Sequence, residues 1–340
     1  MADTTRPDPT RPERALGLGL APGHSSASPP DVSVLIVSYR VREDLARCLE
    51  SLRDLDGEAR AEIVVLDNDS GDGTLAMLRD RFPEVVTIDA GENVGFGRGV
   101  NRAADRASGR YLLLLNPDTV VEPGMVDALL DAAARHPGAG LIGGRTLRDD
   151  GGLEASSAWA APSLRSVACF AAGLTALFPT VPACNPEAMV GWDRDDEREV
   201  DVVTGALLLV SRPVWDELGG FDHDFFMYAE DIDLALRARN AGYRPIVTPS
   251  AVAVHTVGAS SSAPAGRRVL VLAGRMTLFD KHWSRPQATA ARLLIVGGVA
   301  LRAVVATARS RLVPGRTDGG WPEVWSRRQE WVDGYPRSSS

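Results

Sequence analysis

Two adjacent carboxylates, Glu230 and Asp231, follow an aromatic and apolar run at residues 225–229. A carboxylate beside aromatic side chains is partly desolvated, so its pKa rises and it can accept a proton near neutral pH. Asp233 and Arg237 have the i, i+4 spacing of an ion pair on a helix, and acids in a first turn favour the helix dipole. That structural interpretation accounts for Asp233 but not for the Glu230–Asp231 pair, which is predicted to carry proton chemistry.

Polar clusters follow two apolar runs. Asp67 and Asn68 come directly after residues 62–66, and Asp118 comes shortly after residues 111–115. A carboxylate at a strand end can accept a hydrogen bond from a base or sugar, or it can bind a divalent ion. The alternative is ordinary turn chemistry, which also favours Asp, Asn and Gly. Because the two clusters lie on neighbouring strand ends, they favour a ligand site.

A glycine-rich segment at residues 91–101 opens a helix and has the composition of a loop that cradles phosphate. It follows the third predicted strand, whereas a dinucleotide fingerprint follows the first, so a Rossmann dehydrogenase is disfavoured. On spacing alone, an ordinary loop with glycines at positive φ is an equal alternative to ligand contact.

Strands and helices alternate through the first half of the chain. Strands are predicted at 32–37, 62–66, 85–88 and 111–115, and helices at 45–52, 74–81, 97–108 and 124–135. This alternation is typical of a doubly wound α/β sheet, in which ligands bind at the carboxyl ends of the strands. Beyond residue 140 it stops, and the clear features are a strand at 202–210, a helix at 230–241 and strands around 243–247 and 252–255.

Composition excludes several classes of protein. The 340 residues are 44% hydrophobic and 24% charged, which excludes a disordered chain, a collagen and a small disulfide scaffold. The formal net charge of −8 argues against a nucleic-acid binder. Three scattered cysteines without a Cys-x-x-Cys pair indicate neither a zinc site nor a disulfide framework. Residues 1–30 are rich in Pro and Ser, lack an apolar signal region and are predicted to be a disordered leader.

Six motifs occur along the chain in the order Val37-Ser38-Tyr39, Asp67-Asn68-Asp69-Ser70, Asn93-Val94-Gly95-Phe96-Gly97, Asn116-Pro117-Asp118, Thr204-Gly205-Ala206 and Phe226-Met227-Tyr228-Ala229-Glu230-Asp231-Ile232-Asp233-Leu234. Together they resemble family 2 glycosyltransferases of the GT-A fold, and among these the bacterial rhamnosyltransferases of cell-wall and O-antigen assembly. The resemblance spans residue 31 to about residue 260.

The resemblance implies a domain organisation and a reaction. Residues 31–285 would form the GT-A domain, with a nucleotide-sugar half at 31–145 and an acceptor half at 146–285. Such enzymes transfer a sugar from a nucleotide diphosphate donor with inversion of the anomeric configuration. The donor implied first is dTDP-rhamnose, and the acceptor is a hydroxyl of a polyprenyl-linked cell-wall or polysaccharide glycan.

The resemblance also implies roles for individual residues. Asp231 would be the general base, with Glu230 as the alternative base or as a ligand of the acceptor sugar. Asp118 and His255 would hold Mg²⁺ or Mn²⁺, although Asn116 stands where the family carries the first Asp of its metal motif. The nucleotide sugar would contact Ser38, Tyr39, Arg40, Asp67, Asn68, Ser70, Asn93, Gly95, Phe96, Asn101, Asn116 and Gly205.

The C-terminal segment at 286–340 is predicted to contain an amphipathic helix and a tail. Residues 288–308 are apolar except for Arg292 and Arg302. On a helix these arginines share one face, which suits a helix lying in a membrane interface. The alternative is a helix packed on the domain with its arginines in water. Residues 265–316 have a net charge of +9, against −16 for residues 31–264, so the basic part of the chain suits an anionic lipid surface.

These features predict a cytoplasmic protein attached peripherally to the inner face of the plasma membrane. They are compatible with a homodimer. Three alternatives remain open to some degree on the sequence. The donor could be UDP-galactofuranose or UDP-N-acetylglucosamine, or the chain could be a non-catalytic module that binds nucleotide sugars. A nucleotidyltransferase would share the fold, but it would carry a Gly-rich basic loop after the first strand, which residues 38–41 do not form.

Overall fold

The computed structural model of the chain describes residues 19–20, 28–53, 57–255, 264–312 and 319–337. Its strands are β1 (Gly19–Leu20), β2 (Val32–Ser38), β3 (Arg60–Asp67), β4 (Val86–Asp89), β5 (Tyr111–Leu115), β6 (Thr119–Val121), β7 (Leu141–Leu147), β8 (Ala158–Trp159), β9 (Arg198–Glu199), β10 (Val202–Val203), β11 (Leu207–Ser211) and β12 (Ile246–His255). Its helices are α1 (Arg42–Arg53), α2 (Thr74–Arg81), α3 (Phe96–Ala104), α4 (Met125–Arg135), α5 (Leu164–Ala171), α6 (Leu174–Leu177), α7 (Arg212–Leu218), α8 (Glu230–Asn240), α9 (Pro264–His282), α10 (Arg285–Leu312) and α11 (Trp321–Ser326).

Most strands belong to one mixed sheet. Its order is β1-β3-β2-β5-β11-β7-β12-β6, with β4 also beside β3 and β9 also beside β12. β2, β3, β4 and β5 pair in parallel, as the alternation predicts. β11 runs antiparallel between β5 and β7, and β12 lies parallel to β7. The prediction of a doubly wound, mostly parallel sheet is confirmed, with a reversed strand near its centre.

Helices cover both faces of this sheet because its strands are apolar on both sides. All seven residues of β2 are buried, and successive side chains point to opposite faces. On one face Ile36 belongs to a core with Leu49 of α1 and Leu129 of α4. On the other face Leu35 shares a core with Leu234 of α8. The sheet is therefore the middle layer of three.

The strand predicted at 202–210 is wrong in its middle, where the structure breaks it into β10 and β11. β10 pairs antiparallel with β8 outside the large sheet, whereas β11 stays in it. At the break, the N–H of Gly205 donates to the carboxylate of Asp231 at 3.3 Å. The chain is therefore outside the large sheet where it contacts the first turn of α8.

β7 and β12 are among the other strands that differ from the prediction. β7 lies outside the predicted strands because Gly143 and Gly144 interrupt its apolar run; a Cβ on Gly143 would lie 2.4 Å from the side chain of Val203. The strands expected around 243–247 and 252–255 form the single strand β12, whose register shifts between Thr248 and Val252.

Residues 148–200 contain little regular structure, yet a buried arginine holds them in place. The side chain of Arg194 is 2% exposed and stacks on Trp192. Its guanidinium donates to the carbonyls of Ala155 and Ala158 at 3.1 and 3.2 Å and to that of Ala188 at 3.3 Å. Because these carbonyls come from two segments about 30 residues apart, 155–158 and 186–188, one side chain ties the irregular segment together.

α5, α9, α10 and α11 form a helical layer with its own core. Buried residues of this core include Val167 of α5, Met276 of α9, Ile295 of α10 and Trp331 of the tail. The tail therefore packs into the layer rather than extending from it.

The alternative prediction, in which the arginines of α10 lie in water, is wrong for Arg292 and Arg302. Arg292 faces the protein and pairs with Asp280 at 2.8 Å. Arg302 donates to the carbonyls of Phe170 and Ala171 and lies over the Phe170 ring. The outward side is apolar instead. By length and composition alone, α10 could cross a membrane, but 33% of its most apolar window is buried in the protein.

Most of the predicted leader lies outside the described residues, namely 1–18 and 21–27. Within it, Gly19 and Leu20 pair in parallel with Arg60 and Ala61 of β3.

Candidate active site

A cavity of about 360 Å³ opens at the carboxyl ends of β2, β3 and β5. One side of it is formed by residues that follow strands, and the other by the start of α8 and by α9. Sequence-predicted residues that line it are Tyr39, Asn68, Asn93, Phe96, Asn116, Asp118, Gly205, Glu230, Asp231 and His255. The fold therefore brings together most of the residues singled out by their types and spacing.

Glu230 and Asp231 enter the cavity from the first turn of α8. Glu230 is 5% exposed, and burial together with the neighbouring Asp231 raises its pKa to about 8. Burial also raises the pKa of Asp231, although hydrogen bonds from the N–H groups of Gly205 and Ile232 act in the opposite direction. Those donors lie 3.3 and 2.8 Å from the Asp231 carboxylate. At neutral pH Glu230 therefore keeps its proton, and Asp231 is the better candidate for an ionised base.

Asn68 joins the strand-end turn to the glycine-rich loop. Its amide donates to Asn93 Oδ1 at 3.0 Å and to the carbonyl of Gly95 at 3.2 Å, and it accepts from the N–H of Val94 at 2.9 Å. Both N–H groups and the carbonyl oxygen of the Asn68 side chain are thus hydrogen-bonded within the protein. The asparagine shapes the loop, and Asn93 and Phe96 present that loop to the cavity.

Asp67 lies beneath this loop and is 2% exposed. One of its oxygens accepts from the N–H of Ser70 at 3.1 Å, while Oδ1 has no partner among the described residues. Burial raises the pKa of Asp67. The hydroxyl of Ser38, at the end of the neighbouring strand, is likewise without a partner within the described ranges. Buried polar atoms are nearly always hydrogen-bonded, so both groups fit contact with a ligand.

Asp118, Asn116 and His255 meet where β6 pairs with the end of β12. His255 Nε2 lies 3.1 Å from Asp118 Oδ1 and 3.3 Å from Asn116 Nδ2. Carboxylate, imidazole and amide oxygen are acceptable ligands for a divalent cation. In the part of the chain described, no group of three or more His, Cys, Asp or Glu side chains is arranged so that it could hold a metal ion by itself. The residues therefore fit a cation that takes its remaining ligands from a bound diphosphate.

Comparison with known proteins decides the family. Residues 33–191 match the model of glycosyl transferase family 2. The chain is 35% identical over 236 residues to N-acetylglucosaminyl-diphospho-decaprenol L-rhamnosyltransferase of Mycobacterium tuberculosis, covering 65% of this chain and 75% of that protein. The chain belongs to glycosyltransferase family 2. It is also 30% identical over 240 residues to the O-antigen biosynthesis protein RfbC of Myxococcus xanthus, covering 69% of this chain but 18% of that longer protein.

Solved structures identify the fold of this family 2 glycosyltransferase. The mannosyltransferase PcManGT from Pyrobaculum calidifontis, in complex with GDP-Man and Mn²⁺, superposes with a TM-score of 0.54 at 17% identity and covers 90% of this chain and 86% of that one. GalNAc-T7 with UDP, GalNAc and Mn²⁺ superposes with a TM-score of 0.55 at 14% identity, covering 92% and 56% of the two chains. The prediction of a GT-A fold and of a glycosyltransferase is confirmed.

The remaining predicted residues of the glycosyltransferase lie beside the cavity rather than on its surface. The N–H of Arg40, at φ 57°, donates to Ser70 Oγ at 3.0 Å, so these two residues shape the turn below Asp67. Gly95 packs against Phe226, where a Cβ would lie 2.1 Å from its carbonyl oxygen. Asn101 lies outside the cavity.

Asn101 binds the backbone of Phe221 on the far side of α3. Its amide donates to the Phe221 carbonyl at 2.7 Å and accepts from the Phe221 N–H at 2.9 Å. The structure thus gives it a role in joining α3 to the segment before α8. Gly205, in contrast, lies between Phe96 and Asp231, and a Cβ there would be 3.3 Å from the Phe96 ring.

Sequence reasoning missed the residues that α9 and the irregular segment contribute. Arg267, Val271 and Arg275 line the cavity from α9, and Trp159 and Glu187 line it from the segment at 148–200. The three α9 residues have i, i+4, i+8 spacing, which would have placed them on one helix face. For Trp159 and Glu187 the sequence carries no comparable signal, because irregular backbone brings them there.

Proposed function

We propose that this glycosyltransferase moves L-rhamnose from dTDP-L-rhamnose to a hydroxyl of a polyprenyl-diphosphate-linked glycan, with inversion at the anomeric carbon. The observation that carries the proposal is a cavity that brings Asp231 together with residues at the strand ends, beside which the buried Asp67 Oδ1 and Ser38 hydroxyl have no partner among the described residues. The 35% identical relative, which is named for L-rhamnosyl transfer to a decaprenyl-diphosphate-linked sugar, supports the choice of donor and acceptor.

In this reaction Asp231 accepts the proton of the acceptor hydroxyl. The oxygen attacks the anomeric carbon from the face opposite the leaving diphosphate, so the new C–O bond forms as the bond to phosphate breaks. No covalent intermediate with the protein is needed. The two backbone N–H groups on Asp231 hold the carboxylate in one orientation, which favours proton transfer along a fixed direction.

The donor end of the cavity suits a pyrimidine nucleotide. The free oxygen of Asp67 can accept from the ring N–H of a thymine or uracil, and the ring of Tyr39 lines the same end. Asn93 and Phe96 lie where the ribose and diphosphate would follow. Since thymine and uracil present the same N–H, a UDP-sugar donor is the alternative that the binding experiment below must separate.

Asp118 and His255 would hold Mg²⁺ or Mn²⁺. Such a cation would offset the charge of the diphosphate as it leaves. Arg267 on α9 lines the cavity and lies over the ring of Tyr228, with its guanidinium carbon 5.9 Å from the ring centroid. Its positive charge would also offset the negative charge of the leaving diphosphate.

The acceptor end of the cavity would bind the sugar that receives rhamnose. Trp159 offers a ring on which a pyranose can stack, and Glu187 and Arg275 form a bidentate pair with oxygen–nitrogen distances of 2.5 and 3.2 Å. The pair has no net charge and presents both donors and acceptors, which suits an uncharged sugar bearing hydroxyls. Both members are mostly buried, at 15% and 24% side-chain exposure.

The outward side of α10 would lie on the cytoplasmic face of the plasma membrane. Leu293, Leu301, Val304 and Leu312 are 68%, 57%, 67% and 80% exposed on that side. Arg309 and Arg311 are exposed in the last turns and suit anionic headgroups. A lipid-linked acceptor would reach the cavity at the level of this helical layer, because α9 both lines the cavity and packs on α10.

The test begins with thermal unfolding of the full-length protein in the presence of dTDP-L-rhamnose, UDP-galactofuranose and UDP-N-acetylglucosamine, each with and without Mn²⁺. We expect dTDP-L-rhamnose to raise the midpoint of thermal unfolding, and we expect this rise to be larger in the presence of Mn²⁺. Transfer is then measured to N-acetylglucosaminyl diphosphate carried on a short isoprenoid. Stabilisation by a UDP-sugar but not by dTDP-L-rhamnose would overturn the assignment of the donor. If none of the three nucleotide sugars stabilises the protein, the proposed function is wrong.

A further inference from the structure

The turn that delivers Glu230 and Asp231 into the cavity has an unfavourable backbone conformation. Tyr228 and Ala229 have φ values of 68° and 70°, the left-handed region that residues with a Cβ disfavour. Two such residues in succession persist only where the surroundings hold them. The position of Asp231 therefore depends on whatever fixes the carbonyls of this turn.

Elements far apart in sequence hold the first part of the turn. The carbonyl of Phe226 accepts from the N–H of Phe96, the first residue of α3, at 2.9 Å. The carbonyl of Tyr228 lies against Gly274 of α9, where a Cβ would approach it to 2.3 Å. Helix α3 and helix α9 thus enclose the turn from two sides.

The carbonyl between them, that of Met227, is held by the C-terminal tail. The hydroxyl of Tyr335 donates to it at 2.6 Å and lies 3.0 Å from the carbonyl of Leu270. The Tyr335 ring also meets the edge of Phe226, with ring centroids 6.3 Å apart. Burial raises the pKa of Tyr335, so its hydroxyl keeps the proton that it donates.

The tail is anchored well enough to hold this tyrosine in place. Trp331 is fully buried, and its indole N–H donates to the carbonyl of Val324 at 3.0 Å. The N–H of Tyr335 donates to Thr277 Oγ1 on α9 at 2.8 Å. Gly334, at φ 75°, lets the backbone pass Thr277 closely, because a Cβ there would lie 2.7 Å from the Thr277 hydroxyl.

We propose that the C-terminal tail at 331–337 is part of the catalytic apparatus, with Tyr335 as a positioning residue that fixes the 226–229 turn and thereby aims Asp231. The inference rests on the proposed function for the identity of the base. It assigns to residues about 100 positions beyond Asp231 in the sequence an effect on the rate of proton transfer rather than on substrate binding.

The test is Tyr335→Phe in the full-length protein, which removes the hydroxyl and keeps the ring against Phe226. We expect kcat to fall about tenfold, the effect of losing one buried hydrogen bond on an aligned group. The KM values for dTDP-L-rhamnose and for the isoprenoid-linked acceptor should stay within about twofold, since neither binding end is touched. Tyr243→Phe is the matched control, because the Tyr243 hydroxyl bonds Glu217 at an exposed position away from the turn.

Equal kcat values for Tyr335→Phe, Tyr243→Phe and wild type would overturn the positioning role, as would a fall in kcat matched by an equal rise in donor KM. If Tyr335→Phe does not fold, Thr277→Val, which removes the acceptor of the Tyr335 N–H, is measured in its place against the same two criteria. A wild-type protein that transfers no sugar would instead overturn the proposed function.

Discussion

The two walls of the cavity obtain their side chains by different routes. The strand-end wall consists of Tyr39, Asn68, Asn93, Asn116 and Asp118, each of which lies in a loop or turn at the carboxyl end of the parallel strands. The helix wall comes from the first turn of α8, from α9 and from the irregular segment at 148–200. One wall depends on local chain geometry, and the other on packing between distant elements.

This difference suggests a division of labour. The strand-end wall carries Asp118, which pairs with His255, and it lies beside the unpartnered buried acceptors Asp67 and Ser38; these groups suit a nucleotide diphosphate. The helix wall carries Asp231 and the Glu187–Arg275 pair, which suit the acceptor and its proton. Variants in the first wall should therefore change donor and cation binding, and variants in the second should change kcat and acceptor binding.

The largest effect is expected for Asp231→Asn on the helix wall. Removing a general base should lower kcat by about 10³-fold, while the dissociation constant of dTDP-L-rhamnose stays within about twofold. Single-turnover transfer and equilibrium binding measure the two quantities separately. Asp131→Asn, an exposed carboxylate on α4, is the control. Full turnover by Asp231→Asn would show that Asp231 is not the general base.

Asp118→Asn tests the strand-end wall. Loss of the charge beside His255 should raise the Mn²⁺ concentration needed for half-maximal activity by about 10–100-fold and weaken donor binding measured with Mn²⁺ present. Acceptor KM should not change. The measurement is a Mn²⁺ titration of initial rates at saturating acceptor. A change confined to acceptor KM would contradict the proposed division between the walls.

A smaller effect is expected for Glu187→Gln at the acceptor end. The substitution leaves Arg275 with a weakened partner and removes an acceptor for sugar hydroxyls, so acceptor KM should rise about tenfold. Donor KM, and the slow hydrolysis of donor in the absence of acceptor, should stay unchanged. Glu197→Gln removes a comparable carboxylate that pairs with Arg135 outside the cavity and serves as the control. Equal acceptor KM values for the two variants would exclude Glu187 from the acceptor site.

The strand-end wall could be predicted from the sequence because its signals are local. α2 and β5 have the predicted bounds, and the polar turns after β3 and β5 follow short runs of apolar residues that are typical of buried strands. Asp67, Asn68 and Asp118 could therefore be placed at one sheet edge without knowledge of the tertiary structure. The exception is Asn101, which shares the glycine-rich segment but bonds Phe221 instead of facing the cavity.

Most of the helix wall could not be predicted, for physical reasons that differ by element. The acidic pair was visible only through its aromatic neighbours. At the break between β10 and β11 the N–H of Gly205 donates to Asp231, a contact across 26 residues. Tyr335 contacts Met227 across 108 residues. The neighbouring Gly334 has a positive φ, but a glycine before Tyr335 in the sequence indicates no more than an ordinary turn. Periodicity reports which face of an element is buried, not which distant loop it will support.

Glu230→Gln separates the two carboxylates of the helix wall. Because burial holds the pKa of Glu230 at about 8, the side chain is neutral at pH 7, and glutamine reproduces that state. We expect kcat at pH 7 within about twofold of wild type, in contrast to Asp231→Asn.

The same variant has an expected effect on stability. A buried carboxyl with a raised pKa binds more protons in the folded than in the unfolded protein. It therefore lowers stability as the pH rises from the ordinary pKa of a glutamate towards 8. The thermal midpoint of Glu230→Gln should therefore exceed that of wild type by more at pH 8 than at pH 5. A large loss of kcat at pH 7 would make Glu230 the base, and an equal difference in midpoint at both pH values would mean that Glu230 is ionised in the folded wall.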